Sequence, residues 1–306
     1  MARAGKTSDS PMLIAVTGPT GAGKSTFINL VCGSRLEVGT GLQSCTTRVQ
    51  TAYSKIDGQK VVLIDTPGFD DTGRSQADIL RDIADYLEGA YEKGKTLAGV
   101  VYMHRISDFR MGGIARENFR LISKICGDTA MRNVVIATTM WEDVEEELGA
   151  SREQELGSKP LFFKPAIDHG ARMARLYNTA QSAKDLIKTF FLHRPEVLQM
   201  QHEIVDEHKS LPDTAAGIEL GSELDEKAEK HARELEELRK ELREEMESNR
   251  QHAEKIKELN KICERLMKKI DKNEEDKRRL KAAPQRGHGT RVIYLERYRE
   301  SSCTIC

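Results

Sequence analysis

The stretch Gly18-Pro19-Thr20-Gly21-Ala22-Gly23-Lys24-Ser25 has the residue types and spacing to do chemistry on a phosphate. Gly18 and Gly23, with four residues between them, let the backbone fold tightly round an anion. Successive N–H groups and a helix N-terminus then point at it. Lys24 is expected to reach the β- and γ-phosphates, Ser25 to offer its hydroxyl to Mg²⁺, and Gly18 through Thr26 to form the phosphate cradle. This chemistry needs a strand before the loop and a helix after it. The apolar run from Leu13 to Thr17 and the segment from Thr26 to Val31 supply both.

A second chemical group follows at Asp65-Thr66-Pro67-Gly68. It ends a strand over 60–64 that returns from an extended run over 49–56 through the turn pair Asp57-Gly58. From that position Asp65 can hold Mg²⁺ through water, and the Gly68 N–H can sense a γ-phosphate. A third group, Thr139-Met140-Trp141-Glu142, follows a strand over 133–138. Guanine-reading proteins place Asn/Thr-Lys-x-Asp there, with the Lys stem on the ring and the carboxylate on N1–H and the 2-amino group. Met140 keeps an apolar stem and Glu142 keeps a carboxylate one methylene longer. Asp143 is a rival acceptor, and a polar loop without base contact is the alternative. Trp141 either stacks on the base or covers the domain edge.

The elements that must position these groups alternate. Helices are expected over 76–91 and 114–125, strands over 97–103 and 133–138, a short strand at Leu161-Phe162-Phe163, and a closing helix over 172–192. Such alternation implies a mostly parallel sheet with one antiparallel hairpin strand and helices on both faces. Net charge is −1, so no basic field argues for nucleic acid. The six cysteines, apart from the last two at the terminus, lack metal-ligand spacing, which fits a reducing, cytosolic compartment, and no apolar run or leader suggests a membrane span or a signal peptide.

Gly18 to Asn29, Gly41-Leu42-Gln43-Ser44-Cys45-Thr46, Asp65 to Asp71, Tyr102 to Ile106 and Thr138 to Trp141 together resemble the AIG1/septin-like branch of phosphate-loop GTPases, nearest to fungal G-domain-containing proteins. The resemblance spans residues 11–193. It implies a P-loop NTPase G domain, GTP or GDP with Mg²⁺, slow hydrolysis and pairing of G domains into a homodimer. It also makes Thr46 the first-switch threonine on Mg²⁺, with Thr47 as its neighbouring alternative. Phe69 stands where many small GTPases carry the water-orienting Gln, so turnover is expected to be slow. His104, Arg105 and Arg110 are candidate helpers, because in relatives that pair through their G domains this region faces the partner's nucleotide; a solvated or packing role is the favoured alternative for all three.

Downstream, 1–10 reads as a disordered lead, 194–222 as a helical connector, 223–281 as a coiled coil and 282–306 as a flexible tail. Over 223–281 acids and bases balance and Pro and Gly are absent. A heptad register from Ala228 places apolar residues at ten of sixteen a and d positions, with a weak middle at Glu245, Asn249 and His252. As one helix it would reach roughly 90 Å. The terminal Cys303-Thr304-Ile305-Cys306 fits a prenylation box, so peripheral membrane attachment through Cys303 is a further expectation. The sequence thus leads to a GTPase switch or assembly module. A septin-like scaffold that retains nucleotide without turnover is the alternative, and a small-molecule kinase is a weaker rival.

Overall fold

The computed structural model of the chain describes residues 10–33, 49–70, 73–109, 111–248 and 253–282. Thr46, Thr47, Arg110, Asn249, His252 and Cys303 lie outside the described residues. A six-stranded sheet in the order β2-β3-β1-β4-β5-β6 forms the centre, made of β1 (Met12–Thr17), β2 (Gln50–Ile56), β3 (Gln59–Asp65), β4 (Leu97–Arg105), β5 (Val134–Thr139) and β6 (Arg172–Arg175). All neighbours pair in parallel except β2 with β3. Asp57 and Gly58 join these two with φ of 49° and 87°, the left-handed pair that a two-residue hairpin of matching twist requires.

Both faces of the sheet are covered, and α4 (Glu146–Ser158) and the short α7 (Gln199–Gln201) lie among the flanking helices. On one side α1 (Lys24–Cys32) and α6 (Ala180–Lys188) bury Phe27, Ile28, Leu186 and Ile187 against β1 and β4. On the other, α2 (Gln76–Tyr91) and α3 (Gly113–Ala130) bury Ile79, Leu80, Leu121 and Ile125. The α2 boundaries follow from its chemistry. The Ser75 hydroxyl accepts the Asp78 N–H as an N-cap, and Ile79, Ile83 and Leu87 recur on the buried face.

Three expected elements are corrected. Leu161-Phe162-Phe163 is not a strand but the turn into the short helix α5 (Lys164–Asp168), with Phe163 fully buried against Tyr102 and Phe119. The final strand is instead Arg172–Arg175, so the expected closing helix over 172–192 begins only at Ala180, where the Thr179 hydroxyl caps it. Arg172–Arg175 escapes pattern recognition because a four-residue edge strand with two arginines carries almost no apolar alternation.

The third correction is larger. The expected long C-terminal helix is present as α9 (Ala253–Lys281), but the segment is not one rod, because α8 (Ala215–Ser248) runs antiparallel to it. Lys277 meets Asp225, Asn273 meets His231 at 3.4 Å, and Lys255 meets Glu245 at 3.5 Å. The heptad seam is apolar as expected, but Leu235, Cys263 and Leu266 pack against each other within one chain. The connector also ends early. Gly217, in the expected linker, lies inside the first turn of α8, where an added Cβ would stand 2.0 Å from the Leu211 carbonyl oxygen. It serves close approach rather than helix breaking.

Candidate functional site

The loop between β1 and α1 opens at the carboxyl end of the sheet, where β1 and β4 send their connections in opposite directions, the crevice that open α/β sheets use for ligands. Gly18 has φ of 136°, and a Cβ there would lie 2.3 Å from the Met103 carbonyl oxygen, so only glycine lets the loop pass β4. Gly23 caps α1 in the left-handed conformation, leaving the first-turn amides of the helix at the mouth of the loop. Pro19 and Ala22 are buried and Thr20 is half-buried, while Gly21 is open to solvent.

Lys24 is buried, and its Nζ donates to the carbonyl oxygens of Gly18 at 2.7 Å and Pro19 at 2.9 Å, folding the cation back across the loop it is meant to serve. Ser25 Oγ donates to Asp65 Oδ2 at 3.3 Å. A hydroxyl and a carboxylate brought together from α1 and the end of β3 are hard oxygen donors of the kind Mg²⁺ prefers. Among the described residues no group of three or more His, Cys, Asp and Glu forms a metal cage. The donor set therefore fits a cation held jointly with nucleotide phosphates. Thr66 fixes the next segment, since its N–H and hydroxyl both donate to the Val16 carbonyl at 3.2 and 3.0 Å. Gly68 then lies against the loop, where a Cβ would come within 3.1 Å of Gly18 O.

A cleft of about 470 Å³ adjoins the loop, lined by Gly23, Thr26, Phe27, Met140, Glu142 and Tyr177 among others. Met140 is half-buried at φ 59°, and its methyl faces Gly23. Glu142 and Asp143 are both exposed, but only Glu142 lines the cleft. Thr139 is also at the cleft, yet its hydroxyl donates to Ala22 O at 3.1 Å, tying the β5 loop to the phosphate loop. Trp141 takes the edge-covering role. It is buried, its Nε1 donates to Thr138 O at 3.1 Å, and the Arg175 guanidinium lies 4.0 Å over its ring.

The candidate helpers separate. His104 takes the packing role: it is buried edge-on against Phe163, and burial holds its pKa down at about 4, so it is neutral and turned into the core. Phe69 is likewise buried in the apolar core. Arg105 stays at the site. Its Nη1 lies 3.1 Å from where a Cβ on Gly21 would be, and its Nε pairs with Asp108 at 3.0 Å. Two features were missed in the sequence. Tyr177 and Asn178, directly after β6, line the cleft, a place hidden by reading 172–192 as helix. Asp70 reaches the phosphate loop itself, its two oxygens accepting the Thr20 N–H at 2.9 and 2.8 Å.

The chain is similar to several known proteins. The sequence profile described as the AIG1 family matches residues 12–210. Translocase of chloroplast 90 from Arabidopsis thaliana is 29% identical over 43% of this chain and 16% of its own length. GTPase Der from Aliivibrio salmonicida is 27% identical over 57% of this chain and 34% of its own. The chain thus spans about a third or less of these curated relatives. Toc33 from Arabidopsis thaliana, crystallised with GDP and Mg²⁺, superimposes with a TM-score of 0.48 at 16% identity, over 59% of this chain and 82% of that one.

Proposed function

The chain belongs to the AIG1 family, and from that premise we propose that it binds GTP and GDP with Mg²⁺ and hydrolyses GTP slowly, as a switch whose G domains pair. The observation that carries this reading is the continuity of three groups at one mouth. The phosphate loop, the Ser25–Asp65 pair and the cleft over Met140 and Glu142 are joined by the Thr139 hydroxyl bond to Ala22.

Within that site the amides from Gly21 to Thr26 face the phosphates, and Lys24 leaves the Gly18 and Pro19 carbonyls for the β- and γ-phosphates. Ser25 and Asp65 would hold Mg²⁺, which would supply neutralisation of the phosphate charge. Met140 supplies an apolar shelf for the ring and Glu142 its acceptor. Slow turnover follows from the side chains around the reacting end. Phe69 has no polar atom and His104 is buried and neutral, so neither orients water. Arg105 is the cation nearest the loop from β4, placed to stabilise phosphate charge in its own site or across a G-domain pair. The α8–α9 seam is satisfied inside the chain, so pairing is assigned to the G domain.

Competition of GTP, GDP and ATP for a fluorescent guanine nucleotide on the full chain with Mg²⁺ tests the reading. Only guanine nucleotides are expected to compete, and equal competition by ATP would overturn it.

A further inference from the structure

Asp70 is held at the phosphate loop by more than one bond. The Thr20 N–H donates to both carboxylate oxygens at 2.9 and 2.8 Å, and the Thr20 hydroxyl donates to Oδ1 at 3.0 Å. Thr20 lies early in the loop, on the side where Lys24 Nζ rests against Gly18 and Pro19. Gly68, whose N–H faces the terminal phosphate in the reading above, is packed into the same corner. An added Cβ on it would stand 2.5 Å from Asp70 Oδ1 and 3.4 Å from Thr20 N. The carboxylate therefore occupies the rim that a terminal phosphate approaches, and it uses a loop amide for its own hydrogen bonds.

On the premise that the loop binds guanine nucleotides, we propose that Asp70 determines the choice between di- and triphosphate. A diphosphate fills the deeper amides from Gly21 onward and leaves the Asp70–Thr20 bonds intact. A triphosphate brings its γ-phosphate beside a carboxylate of the same sign in a partly desolvated corner, where like charges repel strongly. Triphosphate binding must break the Asp70–Thr20 bonds and displace the Asp70 carboxylate, whereas diphosphate binding need not. The bonds thus bias the chain toward the diphosphate state and couple γ-phosphate arrival to release of Asp70 from Thr20. Thr20 contributes through its hydroxyl as well as its amide, so a side chain that keeps the N–H and lacks the hydroxyl weakens the latch only in part.

The test is equilibrium binding of GDP and a non-hydrolysable GTP analogue to the full chain with Mg²⁺. The proteins compared are wild type, Asp70→Asn, Thr20→Val and Lys24→Ala. Asp70→Asn is expected to tighten the triphosphate analogue about tenfold relative to GDP, with GDP affinity held within about twofold as the measure of an intact fold. Thr20→Val is expected to shift the ratio in the same direction by less. An unchanged ratio in both variants, a weaker triphosphate affinity in Asp70→Asn, or equal loss of both nucleotides in Asp70→Asn overturns the proposal. Lys24→Ala serves the underlying reading. If it leaves both affinities unchanged, the phosphate-loop assignment fails, whereas loss of both in Lys24→Ala with an unaltered ratio in Asp70→Asn refutes the role of Asp70 alone.

Discussion

At the scale of residues, the site is built from side chains whose assignments depend on where the backbone turns them. Glu142 and Asp143 are adjacent and both exposed, but the 3₁₀ turn over Trp141–Asp143, entered through the left-handed Met140, sends only Glu142 to the cleft. Glu142→Ala is therefore expected to cut the GTP-over-ATP preference about tenfold, the worth of one charged hydrogen-bond acceptor, read in the same competition assay. An unaltered preference would move base reading to Asn178, whose side-chain amide also lines the cleft. The sequence made Gly18 to Ser25 and Asp65 to Gly68 legible because backbone-anion chemistry leaves few choices of residue. It left Asp70 and Asn178 without roles, since a lone carboxylate and a lone amide acquire meaning only from what they face.

At the scale of elements, the junction of α8 with α3 holds a charge cluster that responds to pH. Glu223 is 4% exposed, and its Oε1 accepts from Arg120 at 3.1 Å. Burial first, then the Glu117 carboxylate, raises its pKa to about 7. Arg120, Lys227 and Glu219 complete the cluster, with Lys227 pairing to Glu117 at 2.7 Å and Arg120 to Glu219 at 3.4 Å. A folded-state pKa above the unfolded one means that the stabilisation is fully present below about pH 4.5 and is lost as pH rises through about 7. Glu223→Gln is thus expected to be more stable than wild type at pH 8 and to lose that advantage by pH 5, in urea unfolding at the two pH values. An equal difference at both would exclude the titration. Helices α2 and α3 were readable from period alone, but β6 and α5 were not. A four-residue edge strand and a one-turn helix are too short for periodicity to separate them from loop.

At the scale of the whole molecule, the helical pair folds back onto the G domain. Leu220 and Leu224 of α8 and Leu280 of α9 join the same buried cluster as Ile79, Leu80 and Leu121, while Arg279 pairs with Asp78 at 3.0 Å and Arg81 bonds the Arg279 carbonyl. The apolar seat outweighs the half-exposed ion pair. Leu280→Ala is expected to cost about 2–4 kcal/mol, and Arg279→Ala about 0–1 kcal/mol, both by urea denaturation. The reverse order would show that charge, not burial, docks the pair. No helix among the described residues is long and apolar enough to cross a membrane. The phosphate loop, the Asp65 segment, the parallel sheet with its antiparallel hairpin, and an apolar seam over the last helices were all legible in the amino-acid order. These follow from local chemistry and from the periods of strand and helix. That the seam closes on its own chain, that His104 turns inward, and that Asp70 meets Thr20 emerged with the folded arrangement alone. A heptad pattern specifies an apolar stripe but not its partner, and the contact between residues 20 and 70 exists only once β1 and β3 lie side by side.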